Sequence, residues 1–435
     1  MRVLLVQSWL GGFEAPVFPL GLACLAPHLR TEGPGHEVRT FDPNLSPVTT
    51  LGDISGVLAE LSTHLAEFDP DVVGLSLRNI DSTNKRVVIF YYEFFRRMAE
   101  HVKAHSRAAL VVGGSGFSMF AEEIMADAPW IDVGVYLEGE ATFPAVLENL
   151  ASPGAVPSVF HRQDGQVRFS GAGARREMVE ALSPDWDTFP LERYARIRDA
   201  VGVETKRGCA QNCIYCPYGF LNGRACRPKD PIKVVDELEA LASRGLTRFS
   251  FTDSIFNLPQ PHAAAICQEM VRRKLKLGWS AWFSEREMTR DFARLVVEAG
   301  CTNIIFSPDA LRDAVLKNLG KHITRADIER AFELLQGMDG FELSYNFFKN
   351  PPGQSLGAFL DVVRFCVKAR KRMGRRVHFE FNSLRVEPHT KLHAIALEQG
   401  IVAQGQSLLQ PQYYTNPGTA WIERAMNLLL RLKGK

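Results

Sequence analysis

The sequence is almost without net charge: 51 Lys and Arg against 49 Asp and Glu leave +2 at neutral pH. So even a balance gives no general attraction to nucleic acid or to an anionic membrane, and makes small molecules or a specific partner the expected ligands. Long apolar runs are missing too. The most apolar stretch, Val87 to Phe95, falls far short of the roughly 20 residues that a membrane-spanning helix needs. The amino terminus, Met-Arg-Val-Leu-Leu-Val-Gln, reads as a strand and lacks the basic stretch, apolar core and small-residue cleavage site of a secretory signal, so a cytoplasmic protein is expected. Cysteine is sparse as well. Eight in 435 residues do not make a disulfide scaffold, and a reducing compartment turns attention to thiolate chemistry. Five of them, Cys24, Cys226, Cys267, Cys301 and Cys366, are scattered as small core residues would be.

Apolar residues at 46% and charged residues at 23% describe a soluble globular chain, and its length exceeds what one core accommodates. Over residues 1–150, strands at Val3 to Val6, Glu37 to Phe41, Val72 to Ser76, Leu110 to Val112 and Ile131 to Tyr136 alternate with amphipathic segments. The helical segments are Leu20 to Arg30, Ile54 to Glu67, Lys85 to Lys103, Phe120 to Ala126 and Ala141 to Leu150. This is the α/β pattern of a doubly wound, Rossmann- or flavodoxin-like domain. Residues 151–200 break into Pro and Gly punctuation and read as a connector, with a hairpin at Asp164-Gly165. Residues 201–388 hold six further β/α units, which predict a partial (β/α)6 barrel with its chemistry at the carboxyl ends of the strands. Residues 389–435 form a short extension ending in a helix from Ala420 to Leu432.

Just beyond the first barrel strand stands Lys206-Arg207-Gly208-Cys209-Ala210-Gln211-Asn212-Cys213-Ile214-Tyr215-Cys216, a C-x3-C-x2-C loop with an aromatic residue before its last cysteine. A tight loop can wrap three thiolates around three irons of a cubane and leave the fourth iron open, unlike the four-cysteine ferredoxin arrangement. The competing reading is a structural zinc knuckle closed by Cys226.

In spacing and aromatic position the motif resembles that of the radical S-adenosylmethionine (SAM) superfamily. The resemblance implies a [4Fe–4S] cluster on Cys209, Cys213 and Cys216, with Tyr215 beside the SAM adenine. It also implies SAM contacts at Asp253, whose carboxylate suits the SAM amino group, at Asp309 in Ser307-Pro308-Asp309-Ala310, and at Asn346 near the fifth strand. Pro351-Pro352-Gly353-Gln354 is similar to a loop closing over SAM, or is a simple turn. Glu285, beyond the third strand, faces the same rim, where it either reaches substrate or cluster or stays solvated. The aromatics Trp279, Trp282 and Tyr345 either shape a pocket or pack the core.

The first domain resembles the cobalamin-binding domain fused ahead of the barrel in one large subfamily, on Pro19-Leu20-Gly21-Leu22, Asp71-Val72-Val73-Gly74-Leu75-Ser76, Val111-Val112-Gly113-Gly114-Ser115 and Glu138-Gly139-Glu140. Ser76, Arg78, Gly113 and Gly114 are its implied cobalamin contacts, the glycines by allowing close backbone approach. Relatives that ligate cobalt with histidine carry Asp-x-His-x-x-Gly after the first strand; here that region reads Gln7-Ser8-Trp9-Leu10-Gly11-Gly12. Arg78, always protonated, would block coordination from below rather than supply it.

The domain pair implies a cobalamin-dependent methyltransferase that carries methyl from SAM, via methylcobalamin, to a carbon of a small-molecule precursor, with a flavodoxin or ferredoxin as low-potential electron donor. A similarity at Ser76-Leu77-Arg78-Asn79 and in the tail points to the tryptophan 2-C-methyltransferase branch. Two alternatives stay open: a radical SAM cyclisation, rearrangement or oxidation, and a non-catalytic iron–sulfur or corrinoid-binding protein.

Overall fold

Valine and leucine runs buried on both faces must lie inside a parallel sheet, and a computed structural model of the chain places them there. It describes all residues except 32–34, 49, 83–86, 176, 179–181 and 433–435, together with the side chains at 427 and 429–432. The chain divides into two units, Met1–Gly202 and Val203–Lys435.

In the first unit, β1 (Arg2–Gln7), β2 (Glu37–Phe41), β3 (Val72–Ser76), β4 (Ala109–Gly113) and β5 (Val133–Val135) stand in the order β2-β1-β3-β4-β5, all parallel. The sheet therefore reverses direction between β1 and β3, the place where doubly wound sheets open a crevice for ligands. The third helix runs Tyr91–His105; its expected start at Lys85 lies outside the described residues.

The segment read as a connector does more than connect. β6 (Val159–Gln163) and β7 (Gln166–Phe169) extend the same sheet antiparallel to β5 and to each other. Asp164 and Gly165 both take positive φ, 52° and 75°, as a two-residue hairpin turn requires.

In the second unit, β8 (Gly202–Val203), β9 (Arg248–Phe251), β10 (Gly278–Phe283), β11 (Cys301–Asp309), β12 (Glu342–Phe348) and β13 (Val377–Asn382) form a six-stranded sheet in sequence order, with parallel pairing from β9 to β13. Four of the helices between the strands start on side-chain caps, at Asp230, Thr289, Thr324 and Ser355, which satisfy backbone N–H groups that a helix start leaves open; the helix Gln260–Arg272 starts on Pro259 without one. Together they make the open (β/α)6 barrel.

Phe249, Phe251, Phe256, Trp279, Phe306 and Tyr345 fill its interior. Trp279 donates its indole N–H to the Ala299 carbonyl at 2.8 Å, so it and the fully buried Tyr345 are core residues, whereas Trp282 is 38% exposed. Of the scattered cysteines, Cys24, Cys267 and Cys301 are buried as expected, but Cys366 is half-buried and Cys226 is exposed. Among the described residues no helix is long and apolar enough to cross a membrane.

Candidate functional site

The cysteine loop is held from three sides. Behind it, Lys206–Arg207 pairs antiparallel with Arg227–Pro228. Gly208, at φ +94°, brings the backbone so close to the Ala225 carbonyl that a Cβ would sit 1.9 Å from its oxygen, which leaves glycine as the residue that fits. Within the loop, the Cys209 N–H donates to the Gly223 carbonyl at 3.0 Å and the Ile214 N–H to the Leu319 carbonyl at 3.0 Å, while the Ile214 carbonyl accepts from Leu392 N–H at 2.8 Å. Gly320, at φ +70°, packs against the Asn212 carbonyl, where a Cβ would approach to 2.3 Å.

So fixed, Cys209, Cys213 and Cys216 open on one cavity of about 350 Å³, which Tyr215, Tyr218, Asp253, Trp282, Glu285 and Lys321 also line. Its walls are protein even where a sulfur is reachable. Burial pushes the Cys213 thiol up and the Cys216 thiol up to about 11, so both stay protonated at neutral pH until a metal displaces the protons.

Asp253 reaches this rim, but its carboxylate is already engaged. Oδ1 accepts from Thr205 N–H at 2.8 Å and Lys206 N–H at 3.3 Å; Oδ2 accepts from Thr205 Oγ1 at 2.5 Å and Lys206 Nζ at 2.6 Å. Lys206 also donates to the Phe256 carbonyl at 2.9 Å. Both side chains are shut from solvent, at 2% and 0% exposure. The expectation of a free carboxylate for a ligand ammonium is corrected: a buried charge must be paired, and this one is paired with the residue that begins the cysteine motif.

Asp309 is likewise occupied, by the Tyr215 hydroxyl and by Lys321, and does not line the cavity. Burial works against the Lys321 charge, but the Asp309 carboxylate, Cys213 and Glu285 together more than offset it and hold the ammonium protonated well above the ordinary lysine range. Lys321 also donates to the Ser307 carbonyl at 2.6 Å. Asp309 therefore orients Tyr215 instead of facing a ligand directly. Asn346 is buried, donates to Ser307 Oγ at 3.3 Å and stays outside the cavity lining. The Pro351 to Gln354 segment is a turn, with Gln354 N–H on the Pro351 carbonyl, tied down by Asn416.

In the first unit, Ser76 and Gly113 end adjacent strands in register. Gly114, at φ +100°, is required by the neighbouring backbone: a Cβ there would meet the Leu77 carbonyl oxygen at 2.5 Å. The close approach that glycine permits is thus between two strand-end loops. Gly113 meets nothing nearer than Val135 at 3.6 Å. Arg78 is exposed, and its carbonyl accepts from Ser115 Oγ at 2.6 Å. After β1, the Ser8 hydroxyl and the Trp9 indole N–H are buried without a hydrogen-bond partner among the described residues.

Two family models match the chain: the B12 binding domain over residues 10–147 and the radical SAM superfamily over residues 203–366. The chain thus carries a B12-binding domain followed by a radical SAM domain. An uncharacterized methyltransferase of Pyrococcus horikoshii is 24% identical over 393 residues, which cover 88% of this chain and 79% of that one. An anaerobic magnesium-protoporphyrin IX monomethyl ester cyclase of Cereibacter sphaeroides is 26% identical over 298 residues, 65% of this chain but 47% of its own length. The solved structure of the radical SAM methyltransferase TsrM from Kitasatospora setae, with cobalamin and a [4Fe–4S] cluster bound, superposes with a TM-score of 0.77 at 24% identity, covering 93% of this chain and 79% of that one. At that identity the likeness is one of fold.

The donors present fit the cofactors that these two domains imply. Three thiols on one rigid loop face one cavity, and Cys226, which a closed zinc site would need, does not line it. Among the described residues no group of three or more His, Cys, Asp or Glu side chains is drawn together around a single-ion site. In the B12-binding unit the unpartnered Ser8 and Trp9 donors sit at the carboxyl end of β1, the end at which such sheets take ligands.

Two residues of the cavity went largely unread in the sequence. Lys321 had no local signature. Glu285 was left between two readings, and the solvated one is excluded: the side chain is 2% exposed and its Oε1 has no hydrogen-bond partner among the described residues. Asn257 fixes it there by gripping the preceding backbone, donating to the Ser284 carbonyl at 3.0 Å and accepting from Ser284 N–H at 2.7 Å. Burial pushes the Glu285 carboxyl up to about 8, against smaller pulls from a hydrogen bond donated by its own backbone N–H and from Lys321. A carboxyl raised in the folded state keeps a proton that the unfolded chain releases, so its contribution to stability falls as pH rises from the ordinary glutamate range toward 8. Glu285→Gln removes that loss. Urea denaturation of the apoprotein should show the variant gaining about 2 kcal/mol on wild type between pH 6 and pH 8; a gap that does not change with pH would contradict the buried ionisation.

Proposed function

We propose that this chain is a cobalamin-dependent radical SAM methyltransferase that moves the methyl group of SAM to a carbon of a small-molecule acceptor. The observation that carries the reading is the joint lining of one protein-walled cavity by the three motif thiols, Tyr215, Glu285 and Trp282, in a chain whose first unit is a B12-binding domain.

When bound, the cluster supplies an electron of low potential and an open iron, and cobalamin supplies a cobalt able to take up and hand on a methyl group. Cys209, Cys213 and Cys216 would hold the cluster. Tyr215, pinned through its hydroxyl to Asp309, keeps its ring edge-on to Phe348, 4.8 Å between centroids, and offers a fixed aromatic wall to the adenine of SAM. Tyr218, Trp282 and Phe283 give the cavity an apolar side, which favours an acceptor with a flat or apolar body and keeps water from reactive species. In the first unit, Ser76, Gly113 and the Ser8–Trp9 donors are the residues offered to the corrinoid, and the absence of histidine from residues 7–12 leaves its lower face without an imidazole from this loop. Arg78, exposed just beyond β3, would offer the corrinoid a guanidinium, which stays protonated and does not coordinate a metal. Electrons come from a flavodoxin or ferredoxin.

The similarity to the cyclase favours a second reading, radical ring closure without methyl transfer. SAM labelled in its methyl group separates the two. The anaerobically reconstituted protein should place the label in its product; SAM cleavage to 5′-deoxyadenosine with an unlabelled, rearranged product would support ring closure instead.

A further inference from the structure

The cysteine loop has a second face, turned away from the cavity. Asn212, directly before Cys213, is exposed, and neither it nor Ile214 lines the cavity. Three exposed cations gather around that point. The Arg224 guanidinium donates to the Gln211 carbonyl at 2.9 Å and to Asn212 Oδ1 at 2.8 Å. Lys317 stands one turn before Gly320, the glycine packed on the Asn212 carbonyl, and its own carbonyl accepts from Gly320 N–H at 3.0 Å. Lys391 precedes Leu392, whose N–H holds the Ile214 carbonyl. None of the three lines the cavity, and none has a carboxylate partner among the described residues. The carboxylates nearest to them in the chain are occupied elsewhere: Glu204 by Arg207 at 3.0 Å, Glu387 by Arg385 at 2.6 Å, and Asp313 by the Arg325 N–H at 2.7 Å. Lys391 also opens the helix Lys391–Glu398, the end of a helix at which a cation is disfavoured. A charge kept where it works against the local fold points to a use outside the fold. Beside it the exposed His389 ring lies on Phe220, 8° from parallel with 4.0 Å between centroids, and so adds a flat contact surface to the charges.

We infer that this back face of the cysteine loop, marked by Arg224, Lys317 and Lys391, is where a small acidic electron-carrier protein docks to reduce the cluster. The inference rests on the reading of the three thiols as a cluster site. One electron leaves the reduced carrier and enters the oxidised cluster; the carrier is left oxidised by one electron, and no bond is made or broken. The cavity side is the poorer entrance, because on that reading it holds SAM and the acceptor when the electron arrives. From the back, a carrier seated over Asn212 is one peptide unit from Cys213. Like-signed charges without partners of their own draw in an acidic surface and orient it, an effect that acts mainly on the association rate and fades as salt screens it.

Stopped-flow reduction of the cluster-loaded protein by reduced flavodoxin, an acidic carrier, tests the assignment. At low ionic strength Lys317→Glu combined with Lys391→Glu should lower the second-order rate by about tenfold or more while loading the same iron. Near 1 M salt, where the screening length is about 3 Å, the gap to wild type should close to within about twofold. Lys276→Glu combined with Lys371→Glu makes the same change in net charge at the other end of the strands. Lys276 lies two residues before β10, and Lys371 lies in the last turn of the helix Leu356–Met373 that leads into β13. This control should stay within about twofold of wild type at low salt. Equal slowing by the two double variants would reduce the effect to overall charge and overturn the assignment. Wild-type speed in the Lys317 and Lys391 double variant, or a loss of iron from it, overturns it too. Wild-type protein whose cluster is reduced by dithionite but by flavodoxin at no salt concentration overturns the docking face and leaves the cluster reading intact. Protein that holds no iron–sulfur cluster after reconstitution brings down both.

Discussion

Truncating Asp253 to alanine is expected to lower the stability of the apoprotein by about 3–5 kcal/mol, because it strands a buried lysine ammonium. Lys206 is 2% exposed and its remaining partner is the Phe256 carbonyl, which cannot neutralise a charge. The deletion also orphans the Thr205 N–H and leaves the Thr205 hydroxyl with His262 Nε2 alone, at 3.3 Å, and each unmade buried bond adds about 1–3 kcal/mol at most. The same reasoning predicts strong non-additivity. Lys206→Met combined with Asp253→Leu removes both charges and should recover much of the loss, since a buried ion pair is often worth little more than an apolar replacement. Urea denaturation of the single and double variants, without metal, measures this coupling. If Asp253→Ala were as stable as wild type, the carboxylate would be free for a ligand after all.

This pair shows where sequence reading stops. The C-x3-C-x2-C spacing is local, so the three thiols and Tyr215 could be placed together from the sequence, and the structure opens all of them on one cavity. The alternation of apolar strands with amphipathic helices fixed the two α/β units for a similar reason: period and length are properties of short windows. What a carboxylate faces is not local. Lys206 and Asp253 lie 47 positions apart, and no pattern in either neighbourhood records that they pair. Asp309 was given as a ligand contact by the family resemblance of its segment, yet its occupants, Tyr215 and Lys321, arrive from the cysteine loop and from a segment of no marked periodicity. The hairpin at Asp164-Gly165 was legible from turn chemistry. The sheet edge that it joins was not, because the pairing of β6 with β5 is a choice made in three dimensions.

Replacing Cys213 with alanine should bring the iron and sulfide held after reconstitution down to background and abolish SAM cleavage, while Cys226→Ala should keep both. The contrast follows from position. Cys213 lies at the centre of the strapped loop, next to the Asn212 carbonyl that Gly320 packs on and the Ile214 backbone that Leu319 and Leu392 hold. Two remaining thiols, on a loop so fixed, cannot move to replace it. Their own tendency is to keep their protons, as the Cys216 thiol, pushed up to about 11 by burial, shows; the energy for releasing those protons comes from the metal–sulfur bonds formed together. Losing one bond weakens the return on the other two. Cys226 is exposed and outside the cavity lining. A four-thiolate zinc site would behave differently, since removing either cysteine opens a tetrahedral shell and releases the ion. Parallel iron, sulfide and zinc analysis of the two variants therefore separates the two kinds of centre, and metal loss of equal extent from both would sink the three-thiol cluster.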